Sequence, residues 1–289
     1  MITRFAPSPT GPLHLGHAFS AILAHDMAVA AGGRFLLRIE DIDQSRARPE
    51  WEAQIFDDLA WLGLTWPEPV MRQSDRLKIY RDSLNSLWTR NAIYACTCNR
   101  RDILEAAGAP QEGAHPVTGP DGVVYPGTCR TAGAHITGAP LPDQALRLRM
   151  EEATGDNLTS SLRFTETGAG PDSETGNIRF GKEIRSSIGD IVLARRDMGT
   201  SYHLSVVLDD AAQGITHVVR GNDLFEATKI HVVLQHLLGL PTPVYHHHHL
   251  IRDATGRRLA KRDDDRALCK FRAEGASPAD IRHMVGLGA

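Results

Sequence analysis

Near its start the chain reads Arg4-Phe5-Ala6-Pro7-Ser8-Pro9-Thr10-Gly11-Pro12-Leu13-His14-Leu15-Gly16-His17. A strand-like run, a Pro/Gly loop and the onset of a helix follow in that order. A helix N-terminus carries unpaired backbone N–H groups and a partial positive charge, which suits a phosphate. His14 and His17 add donors, and Gly16 leaves bare backbone for a flat base to approach. The segment predicts a nucleotide site built for chemistry on phosphate. A second stretch, Gly256-Arg257-Arg258-Leu259-Ala260-Lys261-Arg262, is a basic loop opened by glycine. Alone it reads as a solvated charged loop. Paired with the first, Lys261 becomes a mobile cation for the pyrophosphate that leaves when a triphosphate is split between its α and β phosphates.

A third set is Cys96-Thr97-Cys98 with Tyr125-Pro126-Gly127-Thr128-Cys129. Clustered cysteines in a reducing compartment favour metal over disulfides. Structural zinc takes four ligands, so three thiolates need a neighbour, and Tyr125, His115 and His135 are the candidates. Such a site would also order residues 105–140, which are rich in Gly, Pro and Ala and carry little periodicity. Cys269 stands apart and reads as an ordinary residue.

The elements that must hold these residues are legible in outline. Thr3–Phe5 and Arg34–Ile39 read as strands, with a helix from His14 to about Ala31 between them, stopped by Gly32-Gly33. Pro49 to about Leu62 and Asp75 to Asn91 read as amphipathic helices, which makes the first ninety residues a βαβαα nucleotide-binding half. Ala145–Met150, Ile188–Ala194, Tyr202–Asp210 and Ile215–Arg220 read as strands. Leu224–Leu238 reads as a helix ended by Gly239 and Pro241, and from Tyr245 onward short helical stretches are expected. His246–His249 is an internal run read without a metal role.

The bulk properties set limits. The 289 residues carry 42% hydrophobic and 23% charged residues, ordinary for a globular protein with a sizeable core. No apolar run approaches the ~20 residues of a membrane span, and no signal peptide is legible, so a cytoplasmic location is expected. The net charge of -3 excludes a globally basic nucleic-acid binder. A nucleic-acid partner would need a local patch such as Arg179, Lys182, Arg185, Arg195 and Arg196.

On these residues the chain resembles the class I aminoacyl-tRNA synthetases of the glutamyl type. His14-Leu15-Gly16-His17 matches the family's HIGH signature, and Arg258-Leu259-Ala260-Lys261-Arg262 aligns with its KMSKS loop. Arg258 replaces a lysine, Leu259 a methionine, and Ala260 and Arg262 serines, while the lysine at Lys261 is kept. RFAPSPTG and RIED are similar to segments of the glutamate-specific branch. The resemblance implies catalytic roles for His14, His17 and Lys261, and ATP contacts from His14, Gly16, His17, Leu259 and Lys261, with Mg²⁺ on the nucleotide. It implies glutamate contacts from Arg4, Phe5, Ala6, Pro7, Ser8, Glu40, Tyr202 and Arg220. The physics agrees, because glutamate's ammonium needs an acid and its carboxylates need an arginine. Glu40 is assigned to the ammonium, Arg4 and Arg220 to the side-chain carboxylate, and Tyr202 donates a hydroxyl. Glu40 and Arg220 read alternatively as an ion pair at a strand end. A C-x-C…Y-x3-C pattern occurs in a subgroup of short members, which implies zinc on Cys96, Cys98, Tyr125 and Cys129.

The fold implied is α/β, a Rossmann-type catalytic domain with a zinc-containing insertion and a short C-terminal segment. Its parts are 1–92 and 188–243 for the two catalytic halves, 93–187 for the insertion and 244–289 for the tail. The tail after Lys261 is shorter than the ~40 residues an independent core needs, so no anticodon-binding domain is expected. That pattern resembles a truncated branch whose members activate L-glutamate with ATP and transfer it to the queuosine base of tRNA(Asp), and a monomer is expected. A synthetase charging the tRNA 3′ end, a tRNA-binding regulator without activity, and a small-molecule nucleotidyltransferase are the competing readings. Intact His14, His17 and Lys261 weigh against the regulator.

Overall fold

The computed structural model describes residues 1–108, 116–131, 138–155, 162–251 and 267–288. The first ninety residues run β1 (Ile2–Phe5), α1 (Leu15–Ala30), β2 (Arg34–Ile39), α2 (Pro49–Trp61), β3 (Met71–Arg72) and α3 (Leu77–Thr89). The middle of the chain holds β4 (Ile93–Cys96), α4 (Arg100–Gly108), β5 (Thr118–Gly119), β6 (Gly122–Val123), β7 (Ala145–Leu148), α5 (Met150–Ala153), β8 (Arg163–Glu166), β9 (Gly176–Arg179), α6 (Ile184–Ser187) and β10 (Val192–Ala194). Then come α7 (Tyr202–Ala212), β11 (His217–Gly221), α8 (Phe225–Leu238), β12 (Val244–His248), α9 (Leu268–Ala273) and α10 (Pro278–Met284).

β1, β2 and β3 form a parallel sheet in that order. β11 and β12 pair in parallel, and the start of β11 meets β1 where Ile2 N–H donates to Thr216 Oγ1 at 2.8 Å and Thr216 N–H donates to Ile2 O at 3.0 Å. The strands therefore lie in the order β3-β2-β1-β11-β12, a doubly wound arrangement whose switch point falls between β1 and β11. Strand alternation splits the apolar residues between two cores. Phe35, Leu37, Ile39 and Val219 face Ala18, Ile22 and Leu59 on the α1 and α2 side. Val218 faces Leu204, Val207, Ile230 and Leu234 on the other.

Three expectations change. Tyr202–Asp210 is helix, not strand. Ser201 caps it, its Oγ accepting from Leu204 N–H at 3.4 Å, and the buried Asp209 accepts from Gln73 (2.9 Å), Arg76 (2.6 Å) and Tyr80 (2.8 Å) of the α3 region. The β-branched run gave a strand signal because this helix is buried nearly all round and shows no polar face. Residues 244–248, expected within a stretch of short helices, are instead a strand, lying between β11 and β8. The Asp75–Asn91 helix opens as a 3₁₀ turn over Gln73–Arg76 and becomes α-helix at Leu77.

The C-terminal helices return to the start of the chain. Leu268 N–H donates to Leu13 O at 2.8 Å, Ala267 bridges His14, and Arg282 clasps the Asp26 carboxylate of α1 with both Nη atoms at 2.7 and 2.9 Å.

Candidate active site

A cavity of about 490 Å³ opens at the C-terminal ends of β1, β2, β11 and β12, where ligands sit in doubly wound sheets. Arg4, Phe5, Ala6 and Glu40 line it from the first half, and His14, Gly16 and His17 from the start of α1. Tyr202 of α7 and Arg220 of β11 complete the set. Ser8 lines an adjoining cavity instead, and Pro7 lines neither, its carbonyl accepting from Glu40 N–H at 3.0 Å. Leu259 and Lys261 lie outside the described residues, as do His115 and His135.

The two histidines line the cavity at the start of α1. His14 Nδ1 accepts from Gly16 N–H at 3.1 Å, and His17 Nδ1 accepts from His14 N–H at 3.1 Å. A neutral imidazole that accepts at Nδ1 carries its proton at Nε2. Both rings, stacked at 3.8 Å, thus keep an Nε2–H donor beyond the bonds that cap the helix. A Cβ at Gly16 would stand 3.0 Å from His14 Cε1 and 3.1 Å from its Nδ1, so the ring would have to give by a few tenths of an ångström.

The acidic and basic groups form a buried ladder. Arg4 Nε donates to Asp210 Oδ1 at 3.0 Å, Arg38 Nη1 donates to the same oxygen at 2.8 Å, and Arg38 Nη2 donates to Glu40 Oε1 at 3.1 Å. Burial would raise Asp210, but Arg4 and Arg38 overturn that and hold its carboxyl below the usual range. Burial wins at Glu40, whose carboxyl is pushed up despite Arg38 and Arg4. Sequence reasoning missed Asp210 and Arg38. The acid pair closing YHLSVVLDD and the arginine inside RIED were the available signals.

Glu40 and Arg220 do not pair as the alternative reading had it; Glu40 takes Arg38. Arg220 fans across β12 and α8. Its Nε donates to His247 Nε2 (3.2 Å), Nη1 to His231 Nδ1 (3.1 Å), and Nη2 to Thr228 Oγ1 (2.5 Å). His247 in turn donates from Nδ1 to Glu166 Oε2 at 2.5 Å. Burial first, then the Arg220 charge, lowers His231 well below its ordinary value, and the same two effects lower His247 although Glu166 opposes them. Both rings are therefore neutral props that aim a permanent cation.

The thiols meet in a separate centre between β4, β7 and the 125–129 turn. The Sγ atoms of Cys96, Cys98 and Cys129 lie within 4.8 Å of one another. Tyr125 Oη is 3.5 Å from Cys96 Sγ and 3.4 Å from Cys98 Sγ, and Cys98 Sγ is 3.4 Å from Cys129 Sγ. Zinc with ~2.3 Å bonds to sulfur needs ligand edges of about 3.8 Å, so this donor set fits a tetrahedral ion after small adjustments. Burial disfavours the Cys129 thiolate, yet hydrogen bonds from Tyr125 and Thr97 bring its thiol down to about 6. Arg147 stacks 3.8 Å over the Tyr125 ring and donates to Cys96 Sγ at 3.3 Å, which puts a permanent cation beside the sulfur cluster.

Of the basic stretch, Arg185 is bound to Thr154, through Oγ1 at 3.0 Å and the carbonyl, whereas Arg195 and Arg196 are exposed.

Comparison with known proteins agrees with this geometry. The family model for tRNA synthetases class I (E and Q), catalytic domain, matches residues 1–287. A protein of Rhodobacter capsulatus called Glutamyl-Q tRNA(Asp) synthetase is 68% identical across 99% of this chain and 100% of its own length. One of the same name from Symbiobacterium thermophilum is 41% identical across 96% and 83%. A crystal structure of a glutamate tRNA ligase from Elizabethkingia meningosepticum in complex with its amino acid superposes with a TM-score of 0.76 at 25% identity. That match covers 99% of this chain but 60% of the ligase, so the chain spans about three-fifths of that protein's length.

Proposed function

The chain belongs to the class I tRNA synthetases of the glutamate and glutamine type, and from that premise we propose that it activates L-glutamate with ATP and passes the glutamyl group to the queuosine base of tRNA(Asp). The observation that carries the first step is the single cavity shared by His14, His17, Arg4, Glu40, Tyr202 and Arg220. The acceptor is supported by the full-length match to the Rhodobacter capsulatus relative.

In this reading Glu40 holds the substrate ammonium, and Arg4 and Arg220 receive the side-chain carboxylate beside the Tyr202 hydroxyl. ATP enters as its Mg²⁺ complex. The α-carboxylate attacks the α-phosphorus in line, the His14 and His17 Nε2–H groups stabilise charge on that phosphate, and Lys261 accompanies the departing pyrophosphate. Glutamyl-adenylate then meets a hydroxyl of the queuosine cyclopentenediol. The hydroxyl oxygen bonds to the carbonyl carbon, AMP leaves, and its phosphate takes the hydroxyl proton. Cys96, Cys98, Tyr125 and Cys129 hold one structural zinc, which supplies a covalent-strength tie across the insertion and no step of the reaction. The reading puts the protein in the cytoplasm, and no described helix is long and apolar enough to cross a membrane.

The test supplies labelled glutamate, ATP and total tRNA, then maps the label by nuclease digestion and mass spectrometry. Label on queuosine supports the proposal. Label on the terminal adenosine replaces it with charging of the 3′ end.

A further inference from the structure

A second cavity of about 470 Å³ adjoins the first and shares its Glu40 and Tyr202 wall. Its far side comes from the β5–β6 turn, which brings Asp121 against His203 of α7; His203 Nε2 and Asp121 Oδ1 are 3.3 Å apart. These two residues end a directed chain that starts at Arg220. A guanidinium only donates, so the 3.1 Å contact leaves His231 Nδ1 as acceptor and its proton on Nε2. That Nε2–H reaches His203 Nδ1 at 3.2 Å, which leaves the His203 proton on Nε2, facing Asp121. Asp121 thus receives the last donor of the chain through one carboxylate oxygen, and its side chain is 38% exposed at the cavity.

We propose that this second cavity is the acceptor subsite, and that Asp121, aimed by His203, orients the incoming cyclopentenediol by accepting a hydrogen bond from the hydroxyl beside the attacking one, whose own proton is left for the AMP phosphate. The inference rests on the queuosine reading above. A shared wall and two chemical arguments carry it. The cavity shares Glu40 and Tyr202 with the first, so a molecule in it lies next to a glutamate held as proposed above. A carboxylate offers about four lone-pair sites, enough for the neighbouring hydroxyl of the diol in addition to the His203 N–H. A negative group also turns phosphates away from the diol position, while Arg195 on the same cavity meets those flanking it. Asp121 touches the acceptor; His203 and His231 are positioning residues.

The experiment compares wild type with Asp121→Asn, Asp121→Ala, Asp121→Glu and His203→Gln in two assays. One is glutamate-dependent ATP–pyrophosphate exchange without tRNA, and the other is transfer from preformed adenylate to queuosine-containing tRNA(Asp). Asp121→Asn and Asp121→Ala are expected to exchange like wild type and melt at the same temperature, but to transfer about 10- to 100-fold more slowly. The loss falls on the transfer rate rather than on KM for tRNA, because phosphates dominate tRNA affinity. Asp121→Glu recovers part of the rate, and His203→Gln gives an intermediate loss. Wild-type transfer by Asp121→Ala, with exchange intact, overturns the subsite alone. No transfer to queuosine by the wild type overturns the queuosine reading and the subsite with it.

Discussion

His14 and His17 cap the same helix through each other. Each accepts at Nδ1 from a backbone N–H at 3.1 Å, which in a neutral ring puts the proton on Nε2. The capping box is normally made by hydroxyl and carboxyl side chains. Imidazoles do the same structural work here, so the residues that start the helix are the ones that line the cavity.

This leads to an uneven pair of losses in His17→Ala. Removing the ring leaves one helix N–H without its acceptor, a cost of about 1 kcal/mol. It also removes a donor to the α-phosphate, for which a fall of about 10²–10³ in exchange rate is expected. Gly16→Ala, which crowds the His14 ring and covers backbone that lines the cavity, is expected to slow exchange more than it lowers the melting temperature. Exchange kinetics beside a thermal melt separates the two effects.

Asp210 stands between Arg4 and Arg38 with almost no solvent. Asp210→Asn takes the carboxylate from Arg4 and leaves Arg38 with Glu40 alone, and about 3 kcal/mol of stability is expected to go with it. Urea unfolding at neutral pH, with unchanged m-value, checks this. The folded carboxyl sits below its ordinary 3.8. Its contribution is therefore complete above that value and is lost as pH falls through the depressed one.

Glu40 has the opposite sign. Burial raises it above its ordinary 4.5, so it protonates at a pH where a free glutamate stays ionised. KM for glutamate in the exchange assay is expected to climb as pH drops through that raised value, because the ammonium loses its counter-charge. A KM flat down to pH 4.5 would refute the assignment. Glu40→Gln should abolish the pH limb together with most of the affinity.

The thiol cluster predicts about one zinc per chain by elemental analysis. Cys96→Ser combined with Cys98→Ser should lose it and lower the melting temperature. Tyr125→Phe should keep the three sulfurs and bind the ion more weakly, releasing it sooner to a chelator. A well-folded wild type free of metal would retire the zinc.

Legibility in the sequence followed locality. The capping histidines, the Cys-x-Cys pair and the RFLLRI strand are read from neighbours a few residues apart, and the structure has them in the expected elements. α7 was opaque because burial on nearly every side erased the polar face that marks a helical period. β12 was opaque for the opposite reason: its histidines look solvated, yet His247 and His248 are buried as partners of Glu166 and Ser20. The Arg220–His231–His203–Asp121 chain joins four separate elements, and no spacing in the sequence announces it. Lys261 lies outside the described residues, so its role still rests on the motif.

The position of β12 also bears on how the chain is made. It separates β11 from β8, and the buried Glu166 of β8 accepts from the His247 backbone and ring. During synthesis β8 and β9 emerge well before their neighbour in the sheet does. Until residue 248 clears the ribosome, β8 offers an open edge and an uncompensated carboxylate. This sheet therefore closes late, and that interval is when a nascent chain is exposed to mispairing.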